Sequence, residues 1–197
     1  MIIDKIIMVQ HVQFEFGQDR DVAAIRTCTC VYRFLYKEAL MKERFMREAL
    51  KQARKAYEED EVPIGAVIVK DGKIIARGHN KKEKTGVSIW HAEMDVIRKA
   101  SQKLGDWRLE DCDLYVTLEP CPMCAGACIQ SRIRKIYYGA SDPKGGSIGT
   151  LIDLYDVKGY NHYPQKEGGV LEEECAGILK EYFKSKRKRK ESSIIEK

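Results

Sequence analysis

No stretch of the chain approaches the run of about 20 apolar residues that crosses a bilayer, which argues against a membrane-spanning protein. A cleavable export signal is missing too. The opening MIIDKIIMVQ is apolar, but Asp4 and Lys5 interrupt it and no small-residue cleavage site follows. The seven cysteines, at 28, 30, 112, 121, 124, 128 and 175, are odd in number and follow no framework-like spacing. A disulfide scaffold is therefore excluded and a reducing, cytoplasmic setting is expected. There is no internal repeat. What remains is an ordinary globular composition of 197 residues, 44% hydrophobic and 33% charged, with a mean hydropathy of -0.44. That length suits one domain with one buried core. The net charge of +5 permits a polyanionic partner without requiring one.

Three regimes divide the chain. Residues 1–40 show no sustained helical or strand period and read as an irregular leader, either a flexible extension or the product of an upstream choice of start codon with Met41 as the natural first residue. From Met41 the pattern changes: MKERFMREALKQARKAYEE sets Phe45, Ala49, Ala53, Ala56 and Tyr57 on one face of an amphipathic helix. Residues 41–183 form the expected domain and 184–197 a basic tail. Val62 to Val69, the turn signal Asp71-Gly72 and Lys73 to Gly78 predict a hairpin. HAEMDVIRKASQKLG predicts a helix closed by Gly105. Leu114 to Leu118 and Lys135 to Gly139 predict strands, with a helix from Met123 to about Arg132 between them. A Gly-rich loop, 142–149, leads to a short apolar segment at Leu151 to Tyr155, a weak strand at Tyr163 to Glu167 and a final helix from about Leu171. The alternation implies a sheet covered by helices on both faces.

The chemistry-bearing residues are His91-Ala92-Glu93 at the start of one predicted helix and Pro120-Cys121-Pro122-Met123-Cys124 at the start of another. Alone, a CxxC can be a redox pair or half a zinc knuckle, and a single His at a helix start can be a cap. A knuckle needs a fourth protein ligand, and no second CxxC or paired His motif supplies one. Two thiolates and one imidazole instead make a three-ligand site with the fourth tetrahedral corner open to water, as in catalytic zinc centres. Helix N-termini help to hold the sulfurs as thiolates. Glu93, two residues past His91, falls about 200° away on a regular helix and need not bind metal. It can serve as the acid and base that moves protons, or it can cap the helix N-terminus.

H-x-E combined with P-C-x-x-C is the signature of zinc-dependent nucleobase deaminases. The match is longer than the motif. VPIGAVIV, GHN at Gly78 to Asn80, LYVTLEPCPMCAGACIQSRI, YGASDPKGG and YNHYPQKEGGVLEEEC together resemble the bacterial tRNA-specific adenosine deaminases over essentially all of residues 41–190. The resemblance implies a three-layer α/β/α cytidine deaminase-like fold with a five-stranded mixed sheet. It implies one Zn2+ per subunit on His91, Cys121 and Cys124, no organic cofactor, and Glu93 as proton shuttle. Asn80 would contact the target nucleoside. Asp142, Lys144, Asn161 and His162 would touch flanking nucleotides. Phe183, Lys184, Lys186 and Arg187 would contact RNA from the terminal helix, although a charge run of this kind is also what a solvated tail looks like. The implied reaction is hydrolysis of adenosine to inosine at the wobble position of a tRNA anticodon, that of an arginine tRNA foremost, by a homodimer. A deaminase of free guanine, cytosine or a nucleotide shares the tripod, and a non-catalytic zinc RNA-binding module remains the alternative outside enzymes. One departure stands out: Trp90 occupies the place before the metal His where the family carries a small residue. Its expected location is the core under the sheet, with the substrate channel as the alternative.

Overall fold

The computed structural model describes residues 22–195. The chain divides into two units, 1–39 and 40–197, at a point inside a long first helix, α1 (Val22–Glu58). The part of that helix before Met41 lies within the leader whose pattern looks irregular; residues 1–21 of the leader lie outside the described residues. Met41 onward behaves as its amphipathic period predicts, with Phe45, Met46, Ala49, Ala53 and Ala56 buried.

The helix stops through a Schellman closure. Asp60 takes the left-handed conformation (φ 62°), its N–H donates to Tyr57 O (3.1 Å), and the next N–H, of Glu61, donates to Ala56 O (2.9 Å). From there β1 (Gly65–Lys70) and β2 (Lys73–His79) form the hairpin. A single helical turn, α2 (Lys82–Thr85), precedes α3 (Ala92–Leu104). Then come β3 (Cys112–Leu118), α4 (Pro122–Gln130), β4 (Lys135–Ala140), a short 3-10 turn at Leu154–Asp156, β5 (Gln165–Glu167) and α5 (Glu172–Ile195).

Strand order is β2-β1-β3-β4-β5, antiparallel for β2-β1 and β1-β3, parallel for β3-β4 and β4-β5. This is the mixed five-stranded sheet the family resemblance implies. Period-2 alternation along the strands builds a core on each face. Ala66, Ile68, Leu114, Val116 and Ile136 pack with Ala92, Val96 and Ala100 of α3 and Ala125 and Cys128 of α4. Val67, Val69, Tyr115 and Tyr137 pack with Phe45, Met46 and Ala49 of α1 and with Cys175 of α5. The three layers follow directly from that alternation.

Residues 184–195 continue α5 as helix rather than fraying at its basic run. Its first part is pinned to the end of α1: the Tyr182 hydroxyl donates to Asp60 O (2.8 Å), and Lys186 and Arg189 pair with the Asp60 carboxylate at 2.6 and 3.1 Å.

Helix and sheet approach closely at Gly65. A Cβ there would stand 2.1 Å from Ala49 O and 2.3 Å from Ala53 N, both backbone atoms of α1 that cannot yield without moving the helix. Gly65→Ala is therefore expected to lower stability by about 3 kcal/mol, measured by denaturant unfolding; an unchanged midpoint would contradict this packing.

Candidate active site

The parallel pair β3-β4 and its crossover helix α4 set the location, since the N-terminus of α4 opens at the carboxyl end of β3, where ligand sites of α/β sheets gather. Cys121 is the N-cap of α4, in extended conformation (φ -73°, ψ 169°), and Pro122 at the first helical position presets the turn. His91 is the N-cap of α3 in the same conformation (φ -80°, ψ 157°). Both carbonyls accept the first helical bonds, from Ala125 N–H (2.9 Å) and Asp95 N–H (3.1 Å). Neither side chain caps its own helix. They are free to turn towards each other.

They do so closely. His91 Nδ1 lies 3.7 Å from Cys121 Sγ and 3.6 Å from Cys124 Sγ, and all three donor atoms fall within 4.8 Å of one another. A tetrahedral ion bound at about 2.3 Å to sulfur and about 2.05 Å to nitrogen has sulfur–nitrogen edges of about 3.6 Å. The three residues fit a metal ion without rearrangement. Among the described residues no other His, Cys, Asp or Glu joins this group.

Electrostatics point the same way. The Cys121 thiol is brought down to about 4, chiefly by the hydrogen bond from Cys124, with His91 adding to it. That same hydrogen bond, and then burial, pushes Cys124 far up, because a second thiolate beside the first and beside Glu93 has nothing to offset it. Burial pushes Glu93 up, and the Cys121 charge adds to this. His91 is raised by its hydrogen bond to Cys121. Cys121 is thus the group that ionises readily beside the imidazole, while Cys124 and Glu93 tend to keep their protons. A divalent cation is what allows both sulfurs to ionise.

Glu93 is buried at the first turn of α3, close enough to feel Cys121, His91 and Cys124. The separation of about 200° expected from a regular helix does not apply, because His91 stands outside the helix as its N-cap and its extended backbone redirects the ring. Trp90 is also a correction. It is half-exposed, belongs to neither core cluster, and lies over the Arg98 guanidinium at 5.6 Å. Its backbone is held in the loop by Val87 O (3.1 Å) and Lys81 N–H (3.0 Å).

The remaining predicted residues scatter around this centre. Asn80 is buried at the end of β2, its Nδ2 donating to Glu61 (3.1 Å). Asp142 accepts the Lys144 N–H (2.9 Å) in a local turn, and Lys144 is exposed. Asn161 is exposed, while His162 Nε2 hydrogen-bonds Ile133 O (2.6 Å). Phe183, Lys184 and Arg187 are exposed on α5, whereas Lys186 is engaged by Asp60. Sequence reasoning overlooked the buried carboxylates Glu61, Glu119 and Asp95, the last of which pairs with Lys81, Arg98 and Lys99. Glu119, two residues before Cys121, accepts N–H bonds from Asp142 (3.2 Å), Ile148 (3.2 Å) and Thr150 (3.0 Å). A Cβ on Gly146 would come within 2.3 Å of it. Its adjacency to the Cys motif was the available signal; Glu61 had none.

Residues 40–187 match the family model for MafB19-like deaminases. The tRNA-specific adenosine deaminase of Bacillus subtilis is 55% identical over 151 residues, covering 77% of this chain and 94% of its own. Its counterpart in Agrobacterium fabrum is 49% identical, covering 73% and 94%. The chain belongs to the tRNA-specific adenosine deaminase family. A solved structure from work on A-to-I editing by tRNA:A34 deaminases at the wobble position of transfer RNA superposes with a TM-score of 0.67 at 49% identity, covering 69% of this chain and 99% of that one. By contrast, a guanine deaminase from Nitrosomonas europaea matches at 24% identity with a TM-score of 0.60, a likeness of fold alone.

For this deaminase the tripod predicts an all-or-none metal site. Cys121→Ala or Cys124→Ala is expected to reduce bound metal from about one ion per chain to less than about a tenth of that, read by elemental analysis; full occupancy in either variant would contradict the site.

Proposed function

We propose that this protein hydrolyses adenosine to inosine at the wobble position of a tRNA anticodon, foremost that of an arginine tRNA, with Zn2+ on His91, Cys121 and Cys124 and Glu93 as the proton shuttle. The observation that carries the reading is the convergence of two helix N-termini on three metal donors with a buried carboxylate alongside. The relatives at 49–55% identity carry the substrate class. Zinc, when bound, supplies Lewis acidity that makes a nucleophilic water available near neutral pH.

Glu93 does the proton work. It takes a proton from the attacking water as the C6–O bond forms, delivers it to N1 of adenine, and then helps protonate the departing amine, so that adenosine and water become inosine and ammonia. Burial favours a carboxyl that changes protonation state within the cycle, since it raises the proton affinity of Glu93 towards the working range. Asn80 holds the nucleoside at the pocket wall. A loop base suits such a pocket because it is already partly unstacked. Asp142, Lys144, Asn161 and His162 flank the target, and Phe183, Lys184, Lys186 and Arg187 meet the anticodon arm, with exposed Phe183 as a stacking surface. Phosphate contacts of this kind make affinity fall steeply with salt. The protein works as a cytoplasmic homodimer, a pairing that would cover the exposed Leu151, Ile152 and Val157 beyond β4. No helix among the described residues is long and apolar enough to cross a membrane.

Glu93→Ala is expected to cut inosine formation in total tRNA by about 10²-fold or more while leaving bound zinc unchanged, with A-to-I conversion read by sequencing. Undiminished turnover would remove Glu93 from the mechanism. Absence of conversion by the wild-type enzyme at any anticodon would favour a free-base substrate.

A further inference from the structure

Glu61 sits at the Schellman turn that ends α1, in a position no motif marks, and is fully buried. A carboxylate in such a place is costly unless its oxygens are bonded. Its partners all come from one short stretch of chain. Oε2 accepts from Asn80 Nδ2 (3.1 Å) and from the Glu83 N–H (3.1 Å), and Oε1 accepts from the Lys84 N–H (2.6 Å). That stretch, 80–84, leaves β2 and leads through α2 to His91.

The bond to Asn80 has a consequence for orientation. A side-chain amide presents a donor on one side and an acceptor on the other, and rotation by 180° exchanges them. Beside Glu61 only one of the two orientations is satisfied, because the other sets Oδ1 against a carboxylate oxygen with no hydrogen between them. Asn80 therefore offers the pocket its second N–H and its Oδ1 in fixed places. The Asn80 main chain is anchored as well, by its N–H to Ile64 O (3.0 Å), so the side-chain torsions and the amide flip are what Glu61 controls.

We propose that Glu61 is a positioning residue for the nucleoside: it acts through Asn80, setting which face of the amide meets the purine nucleoside and so how well adenosine in RNA is held. This rests on the reading of Asn80 as a substrate contact. Glu61→Gln keeps the shape but replaces one acceptor oxygen by an NH2 group. The short bond to the Lys84 N–H retains the remaining oxygen, and the new NH2 faces the Glu83 N–H, which loses its acceptor, and Asn80, whose amide then flips and offers the nucleoside the wrong pattern.

The test is a double-mutant cycle on the zinc-loaded full chain, with an anticodon stem-loop RNA carrying the wobble adenosine and inosine as readout. Glu61→Gln is expected to lower kcat/KM roughly tenfold, mostly through KM, at unchanged zinc content. In an Asn80→Ala background the same change is expected to add no further loss. Wild-type KM in Glu61→Gln, or an equal loss in both backgrounds, would overturn the proposal, the second outcome meaning that Glu61 only supports the fold. If Asn80→Ala alone leaves KM unchanged, the assignment of Asn80 fails while the deamination reading stands; if the wild-type enzyme forms no inosine, both fall. Should Glu61→Gln lose its zinc or melt early, Glu61→Asp, which keeps the carboxylate but withdraws it by one methylene, is put through the same cycle with the same outcomes.

Discussion

Everything at this site depends on crowding negative charge where two helices begin. Cys121 and His91 cap α4 and α3 in extended conformation, Cys124 follows one turn later, and Glu93 is buried beside them. The unpaired N–H groups of both helix starts supply partial positive charge, while the Cys121 hydrogen bond, burial and the Glu93 charge disfavour a second thiolate at Cys124. The unmet charge is the reason to bind a cation. With no fourth donor beside them among the described residues, these three side chains would leave one corner of a tetrahedral ion to water.

Two buried carboxylates hold the loops on either side of that centre. Glu61 gathers the backbone of 83 and 84 together with Asn80, and Glu119 gathers 142, 148 and 150, while Ser147 adds bonds from N–H and Oγ to Pro120 O at 3.0 and 2.9 Å. In each case a buried carboxylate just past the end of a helix or strand accepts backbone N–H groups from a segment distant in the chain. The pinning of α5 on Asp60 follows the same logic and fixes where exposed Phe183 and its basic neighbours emerge.

Much of this was legible in the sequence for identifiable reasons. Alternating apolar residues specified β1, β3 and β4 and, through their two faces, the layers on either side. The His and Cys motifs picked out the three side chains that converge, because helix starts are marked by local residues such as Pro122. What escaped notice has a common cause. The helical period of residues 22–40 is weak, Trp90 is placed by backbone bonds within an irregular loop, and Glu61 meets Asn80 only after the hairpin folds back. The angle between His91 and Glu93 failed because a cap residue lies outside the helix whose geometry was applied to it. Contacts between segments far apart in the chain leave no local pattern to read.

X-ray absorption at the zinc edge tests the central claim most directly, since it reports ligand type and distance without any assumption about the reaction. The account predicts two sulfurs at about 2.3 Å and two nitrogen or oxygen neighbours at about 2.0 to 2.2 Å. A coordination sphere holding three or four sulfurs, or none, would contradict it.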